Sequence, residues 1–346
     1  MLNNPAVDLR ATHSGDKGSS QAMTGPGYGS QAPLAGGNGP GFTALVPDNG
    51  YRWWYIDAFS PDHRFGLTII AFIGSVFSPY YAAARRRGPA SAEQYCSLNV
   101  ILYGPGSKHW AMTERGSSAL SRDDTSLQIG PSSLHWKDGV LDIDIEEITV
   151  PLPRRLRGRV RVTMPAPGTT CFALDADAQH RWWPIAPSAQ VSVSMERPDL
   201  NWDGVGYIDC NAGTVPLEST FHGWDWCRAS HPDGDCIVLY NTRPRSGAGK
   251  HLALHFDAEG ARDIPVPPPA SLTSTPVWRV DRSTRADSDN ATILRTFEDT
   301  PFYARSMMAL DLGGEPRVAM HESLDLDRFS RRWVQTLLPF RMPRRA

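Results

Sequence analysis

Two short segments each place side by side groups that could move a proton. In Gln179-His180-Arg181-Trp182-Trp183 an extended backbone turns His180 and Trp182 to one side. In Gly206-Tyr207-Ile208-Asp209-Cys210 it does the same for Tyr207 and Asp209, with apolar Ile208 on the opposite face. An aspartate inside such a strand is unfavourable unless it is hydrogen-bonded, paired or protonated. Imidazole and carboxyl groups are the usual agents of acid–base chemistry, and an indole face attracts cations. Each segment also has a plainer use, His180 as a satisfied interface histidine and Asp209 as a cap on the turn at Asn211-Ala212-Gly213. A third cluster, His222-Gly223-Trp224-Asp225-Trp226, has the same ingredients and the same ambiguity.

The elements that must position these groups are strands. Tyr51–Phe59 reads as an aromatic strand and Leu67–Ile73 as a buried one. Cys96–Tyr103 and His109–Arg115 are split by the turn signal Gly104-Pro105-Gly106. Asp138-Gly139 predicts a tight hairpin, after which Val140, Asp142, Asp144 and Glu146 share one face and Leu141, Ile143 and Ile145 the other. That alternation marks a half-buried strand, and the basic strip Arg154, Arg155, Arg157, Arg159 and Arg161 reads as a solvated strand face or a lipid-facing patch. Beyond Pro184–Pro187, strands are expected at Val191–Met195, Val205–Cys210, Cys236–Thr242, His251–Phe256, Val277–Val280, Ala291–Phe297 and Tyr303–Leu310, with Asp233-Gly234 as another turn. The expected organisation is a flexible arm over 1–40, β-rich halves over 41–185 and 186–325, and a basic, apolar tail over 326–346.

Composition narrows the function. A net charge of −2 over 346 residues argues against bulk electrostatic binding of nucleic acid. Eleven tryptophans beside 29 prolines and 30 glycines favour short strands and turns, whose rings either fill a core or line an apolar cavity. Five cysteines, an odd number without a CxxC pair or a signal peptide, read as free thiols in a reducing cytoplasm, and no compact metal-binding spacing is present. There is no GxSxG, HExxH, Walker loop or glycine-rich dinucleotide fingerprint. The longest apolar run, Phe65–Ala84, approaches membrane-spanning length and is followed by Arg85-Arg86-Arg87. Gly66, Gly74, Ser75, Ser78 and Pro79 instead favour a strand running into an exposed apolar loop, Val76–Tyr81, able to dip into a membrane surface. The tail from Phe329, with Arg331, Arg332, Arg341, Arg344 and Arg345 among Trp333, Leu337, Leu338 and Phe340, suits either lipid contact or a helix packed on the barrel.

Three segments carry a family resemblance: Gly50–Ala58, Leu67–Tyr81 and Gly206-Tyr-Ile-Asp-Cys-Asn-Ala-Gly213. From about Tyr51 onward the chain resembles the carotenoid 1,2-hydratases (hydroxyneurosporene synthases) of photosynthetic purple bacteria. The resemblance implies an all-β fold of two lipocalin-like antiparallel barrel halves with few short helices, lying peripherally on the cytoplasmic face of the inner, photosynthetic membrane. It also implies hydration of the terminal double bond of neurosporene or lycopene without a cofactor, and neighbouring carotenoid-pathway enzymes as further partners. The family's His-x-Trp and Tyr-x-Asp pairs match His180 with Trp182 and Tyr207 with Asp209, while His222 with Trp224 offers a competing match.

Hydration of an isoprenoid end needs a strong acid, shelter for a tertiary cation and a held water. Asp209 is the expected acid, since burial raises a carboxyl pKa. Trp182 and Tyr207 are expected to face the cation, and His180 to position the water and take its proton. Two rivals differ in class: a non-catalytic carotenoid or lipid carrier, and a sugar-active protein with paired carboxylates on tryptophan platforms.

Overall fold

The computed structural model describes residues 39–164, 167–231 and 234–345. The strand Tyr51–Phe59 shows how the sequence builds this protein. All nine of its residues are buried, because a separate core lies on each of its faces. Side chains alternate at period two, so Trp54, Ile56 and Ala58 pack with Leu67, Ile69, Val160 and Ile208. Tyr51, Trp53, Tyr55 and Phe59 point the other way and pack with Trp182, Tyr207, Trp224 and Trp226.

The first of these cores fills a curled antiparallel sheet. Among the described residues its order begins with Ser107–Arg115, Cys96–Gly104, Gly66–Ile73, Tyr51–Phe59 and Leu200–Gly213. It continues through His180–Arg197, Arg155–Thr163, Val140–Ile148, Ser132–Lys137 and Ser126–Ile129 to Leu120–Arg122. The sheet closes on itself where the Val150 N–H meets the Trp110 carbonyl at 2.9 Å and Arg115 pairs with Glu147 at 2.8 Å. The second sheet orders as Gly260–Asp263, His251–Asp257, Cys236–Pro244, Phe221–Ser230, Glu315–Asp325, Tyr303–Leu312 and Thr292–Asp299. A small ladder pairs Pro269–Leu272 with Arg282–Arg285. The core containing Trp53 and Trp226 lies between the two large sheets, and the site is built there. Buried polar links cross it as well: Arg228 pairs with Asp57, and Arg305 donates to the Tyr103 hydroxyl at 3.0 Å.

The all-β, two-part lipocalin-like architecture agrees with the sequence. So does the hairpin at Asp138-Gly139, whose φ values of 49° and 79° are the left-handed pair that such a turn requires. The acidic face after it meets the basic strip, Arg159 on Asp144 at 2.7 Å and Arg161 on Asp142 at 2.8 Å, all partly in water.

Three expectations change. Pro184–Pro187, read as the joint between halves, lies inside the His180–Arg197 strand, where register irregularities between Pro184 and Ala189 accommodate the prolines. The chain passes from the first sheet to the second at residues 214–220 instead. Val76–Tyr81 is not an exposed loop: Val76 and Tyr81 are buried, the Tyr81 hydroxyl donates to the Gly50 carbonyl, and Ser78 caps a short helix at Pro79–Arg85. Val277–Val280 is a turn rather than a strand, held by the Asp299 carboxylate, which accepts from the Val277 and Trp278 amides. The apolar run does begin as the strand the sequence favoured, Gly66–Ile73, and among the described residues no helix is long and apolar enough to cross a membrane. The arm expected over 1–40 falls almost wholly outside the described residues.

The Arg228–Asp57 pair predicts a stability contrast. Asp57→Ala leaves the Arg228 guanidinium buried without its counter-charge and should cost about 3–5 kcal/mol in denaturant unfolding. Arg161→Ala, on the solvated strip, should leave the unfolding midpoint unchanged.

Candidate active site

Asp209 sits in the middle of the sheet, directly across the ladder from Tyr55, and only 3% of it is exposed. Three neighbours bind its carboxyl. Its Oδ2 accepts from the Tyr207 hydroxyl and from Trp182 Nε1, each at 2.8 Å, and its Oδ1 accepts from Asn211 Nδ2 at 3.2 Å. Trp182 Nε1 also donates to the Tyr207 oxygen at 3.1 Å, so the three side chains form a closed triangle. Burial is the largest influence on the acid and pushes its pKa up to about 8. The donors Tyr207 and Trp182 pull it down, and the charges of Glu322 and Asp57 add to the rise. Near neutral pH the carboxyl therefore keeps its proton. With both donors on Oδ2, Oδ1 is the oxygen available to carry a transferable proton.

The sequence placed Trp182 and Tyr207 opposite a reacting centre; the structure places them behind the acid. Both are fully buried, and neither reaches open space. The space in front of Asp209 is a recess of about 30 Å³ lined by Trp53, Tyr55, Asn211, Trp224, Trp226, Tyr240 and Glu322. That is room for a water or two. Trp53, Tyr55, Trp224 and Glu322 also line a cavity of about 420 Å³, within the range of small-ligand sites. Its walls include Ile70, Phe72, Phe77, Met112 and Phe302, and Trp278, Leu337, Phe340 and Arg341 stand at its exposed end. The site is thus an apolar passage with a neutral acid at its inner end.

His180 stands outside the recess. Its Nδ1 lies 2.8 Å from the Tyr51 hydroxyl and its Nε2 2.9 Å from the Thr220 hydroxyl. Burial holds its pKa down to about 4, so the ring is neutral at pH 7 with both nitrogens engaged. Its link to the recess is by contact: Tyr51 stacks on the ring at 5.8 Å and on Trp53 at 4.9 Å, and Trp53 lines the recess. Gly213 is required beside it, since a Cβ there would lie 2.8 Å from His180 Nδ1. His222 is exposed and pairs with Asp327 at 2.7 Å, whereas Trp224 and Trp226 from the same cluster do line the recess.

Sequence reasoning missed Glu322 and Arg305. Both are charges inside apolar strands, the signal that singled out Asp209; the Glu315–Asp325 strand is absent from the sequence reading, and on the expected Tyr303–Leu310 strand the charge of Arg305 is not singled out. Among the described residues no His, Cys, Asp and Glu groups converge as metal ligands. The five thiols are buried and unpaired; Cys210, beside Asp209, is pushed up to about 12 by burial.

Comparison with known proteins follows the same line. The family model for carotenoid hydratase CrtC matches residues 69–346. An acyclic carotenoid 1,2-hydratase of Thiocapsa roseopersicina is 48% identical over 96% of this chain and 81% of its own length. A protein of the same name from Rubrivivax gelatinosus is 43% identical over 89% of this chain and 76% of its own. Among solved structures, a putative AttH from Nitrosomonas europaea superposes with a TM-score of 0.57 at 15% identity, covering 88% of this chain and 99% of that one. Kievitone hydratase from Nectria haematococca gives 0.50 at 11% identity, covering 87% and 97%. These two likenesses concern the fold.

The raised pKa of Asp209 has a measurable sign. The folded protein holds a proton that the unfolded chain releases near pH 4, so stability should fall as pH rises from about 4 to about 8 and then level off. Asp209→Asn should lack that slope in pH-dependent unfolding. Tyr207→Phe removes a donor that favours the carboxylate, so infrared titration should find the protonated carboxyl persisting to higher pH than in the wild type.

Proposed function

The chain belongs to the CrtC carotenoid hydratase family, and on that premise we propose that it adds water across the terminal double bond of an acyclic carotenoid, neurosporene or lycopene, with Asp209 as the acid. One observation carries this reading: a carboxyl kept protonated to about pH 8 at the inner end of an apolar passage. An isoprenoid end offers no group for hydrogen bonding, so it is held by shape and apolar contact, and the passage supplies both.

The reaction begins with transfer of the Asp209 proton to the alkene carbon that leaves the charge on the neighbouring tertiary carbon. Alkyl groups spread that charge, and the rings of Trp53, Tyr55 and Trp224, which line both the recess and the larger cavity, border the junction where it forms. Each well-placed face contributes roughly 0.5–2 kcal/mol, enough to assist the acid but not to replace it. Trp182 and Tyr207 fix the direction of the carboxyl from behind. His180 is a positioning residue, holding Tyr51 and through it Trp53. A water entering the recess then captures the cation, and no added cofactor takes part in these steps.

A carotenoid is far longer than the cavity, so its remaining length lies at or beyond the mouth. Around that mouth Trp278 stacks on Trp333 at 5.7 Å, and Trp333, Leu337 and Phe340 are exposed beside Arg331, Arg332 and Arg341. Apolar side chains ringed by cations suit a lipid surface carrying anionic headgroups. In this reading the C-terminal segment, rather than the buried Val76–Tyr81, docks the protein on the cytoplasmic face of the inner membrane, where the substrate is dissolved.

The direct test incubates the purified protein with neurosporene or lycopene in liposomes without added cofactor and analyses the pigments by mass spectrometry. A product heavier by one water is expected, with Asp209→Asn lowering its formation at least about a hundredfold. Bound but unchanged polyene would identify a carrier instead. The alkaline limb of kcat/KM should fall through about pH 8, as the acid form is lost. Replacing Trp333 and Phe340 together by Ser should weaken co-sedimentation with anionic vesicles while leaving unfolding unchanged; undiminished binding would place the membrane contact elsewhere.

A further inference from the structure

Hydration needs a second proton movement that the groups already assigned do not perform. Once Asp209 has given up its proton and water has attacked the cation, the oxygen carries a positive charge and must lose a proton. His180 does not face the recess, and the fully buried Trp182 and Tyr207 are committed to Asp209. One carboxyl other than that of Asp209 does line the recess, and it comes from the opposite sheet.

Glu322 lies on the Glu315–Asp325 strand, in register with Trp226 on one side and Arg305 on the other. Its side chain is only 13% exposed, and it lines both the inner recess and the larger cavity. Arg305 Nε donates to Glu322 Oε1 at 2.8 Å. Arg305 is itself 1% exposed and is anchored by the Tyr103 hydroxyl at 3.0 Å, with its guanidinium against the rings of Tyr55 and Tyr303. A guanidinium is a permanent cation and gives the carboxyl bonded to it a fixed charged partner. The two carboxyls are therefore unlike: Asp209 has aromatic and amide donors around it and no cation bonded to it, whereas Glu322 is bonded to the buried Arg305. Partners this different suit the two groups to different roles.

We propose that Glu322, positioned by Arg305, holds the attacking water and takes its proton. The inference rests on Asp209 as the acid of the hydration reaction. In the second step the water oxygen forms the bond to the tertiary carbon, one O–H bond breaks, and its proton passes to the Glu322 carboxylate. The product leaves as a neutral tertiary alcohol, with Asp209 ionised and Glu322 protonated. One proton moved from Glu322 to Asp209 through water in the recess restores the starting state. The arrangement also limits where water acts, because the polar end of the passage lies between these two carboxyls and the remaining walls are largely apolar.

The two steps can be separated by running the full-length protein with lycopene in liposomes made in D2O. The wild type should form the hydrated product carrying deuterium at the protonated carbon. Glu322→Gln, which keeps an acceptor for Arg305, should lower hydration about a hundredfold or more. It should still place deuterium on the vinylic carbon of recovered lycopene, because Asp209 protonates the alkene and then takes a proton back. Glu322→Asp should regain part of the hydration. Asp209→Asn should show neither hydration nor exchange. Hydration by Glu322→Gln near the wild-type rate would overturn the proposal, and so would loss of exchange together with hydration in both Glu322 variants. If Glu322→Gln does not fold, Glu322→Asp decides alone: impaired hydration with retained exchange supports the base, and unimpaired hydration overturns it. Exchange that survives in Asp209→Asn would count against the acid assignment and not against Glu322.

Discussion

Everything at the site depends on keeping one carboxyl out of water. An aspartate in solution is ionised at neutral pH and is useless as a proton donor to a carbon–carbon double bond. Asp209 keeps its proton because two sheets close over it, and burial outweighs the two hydrogen bonds that favour its charged form. Those bonds, from Tyr207 and Trp182, set direction at the expense of some acidity control. Removing the second sheet would return the carboxyl to ordinary behaviour, which explains why a reaction at one residue occupies two barrel-like halves.

The same closure creates a conflict that the structure resolves by geometry. A tertiary cation must be kept from stray nucleophiles, yet one water has to reach it. Aromatic rings from both sheets form the walls of the recess, with Trp53 and Tyr55 from the first and Trp224, Trp226 and Tyr240 from the second. Its two carboxyls come one from each sheet, Asp209 from the first and Glu322 from the second. Such rings supply a large apolar contact area and a negative face in one side chain. Four of the eleven tryptophans, Trp53, Trp182, Trp224 and Trp226, lie in this shared layer, where Trp226 meets Tyr55 edge-on at 5.4 Å and Tyr207 at a tilt at 5.2 Å.

The fold also separates tasks along the passage. The inner end carries Asp209 and Glu322, the walls beyond it are largely apolar, and the outer end mixes exposed rings with arginines on the C-terminal segment. A long polyene can stay in an apolar medium for most of its length while one end meets the acid. Arg344 ties this segment back to the first sheet through buried Glu114 at 2.5 Å, so the mouth is a fixed part of the molecule.

Local features of the chain were legible because they obey local rules. Period-two alternation located the Tyr51–Phe59 strand and the acidic face after Asp138-Gly139, and the cost of a carboxylate among apolar neighbours singled out Asp209. The pairing of Tyr207 with Asp209 followed from strand geometry alone. What the sequence by itself determined was therefore the strand character, the all-β class and the shared face of Tyr207 and Asp209 on one strand. Only the tertiary structure decided which face of each strand meets the other sheet. Pairing partners far apart in the chain depend on register and sheet curvature, to which no local pattern speaks. For that reason His180, adjacent in sequence to the acid's supports, stands apart from the recess, while Glu322, more than a hundred residues from Asp209, is brought to face it.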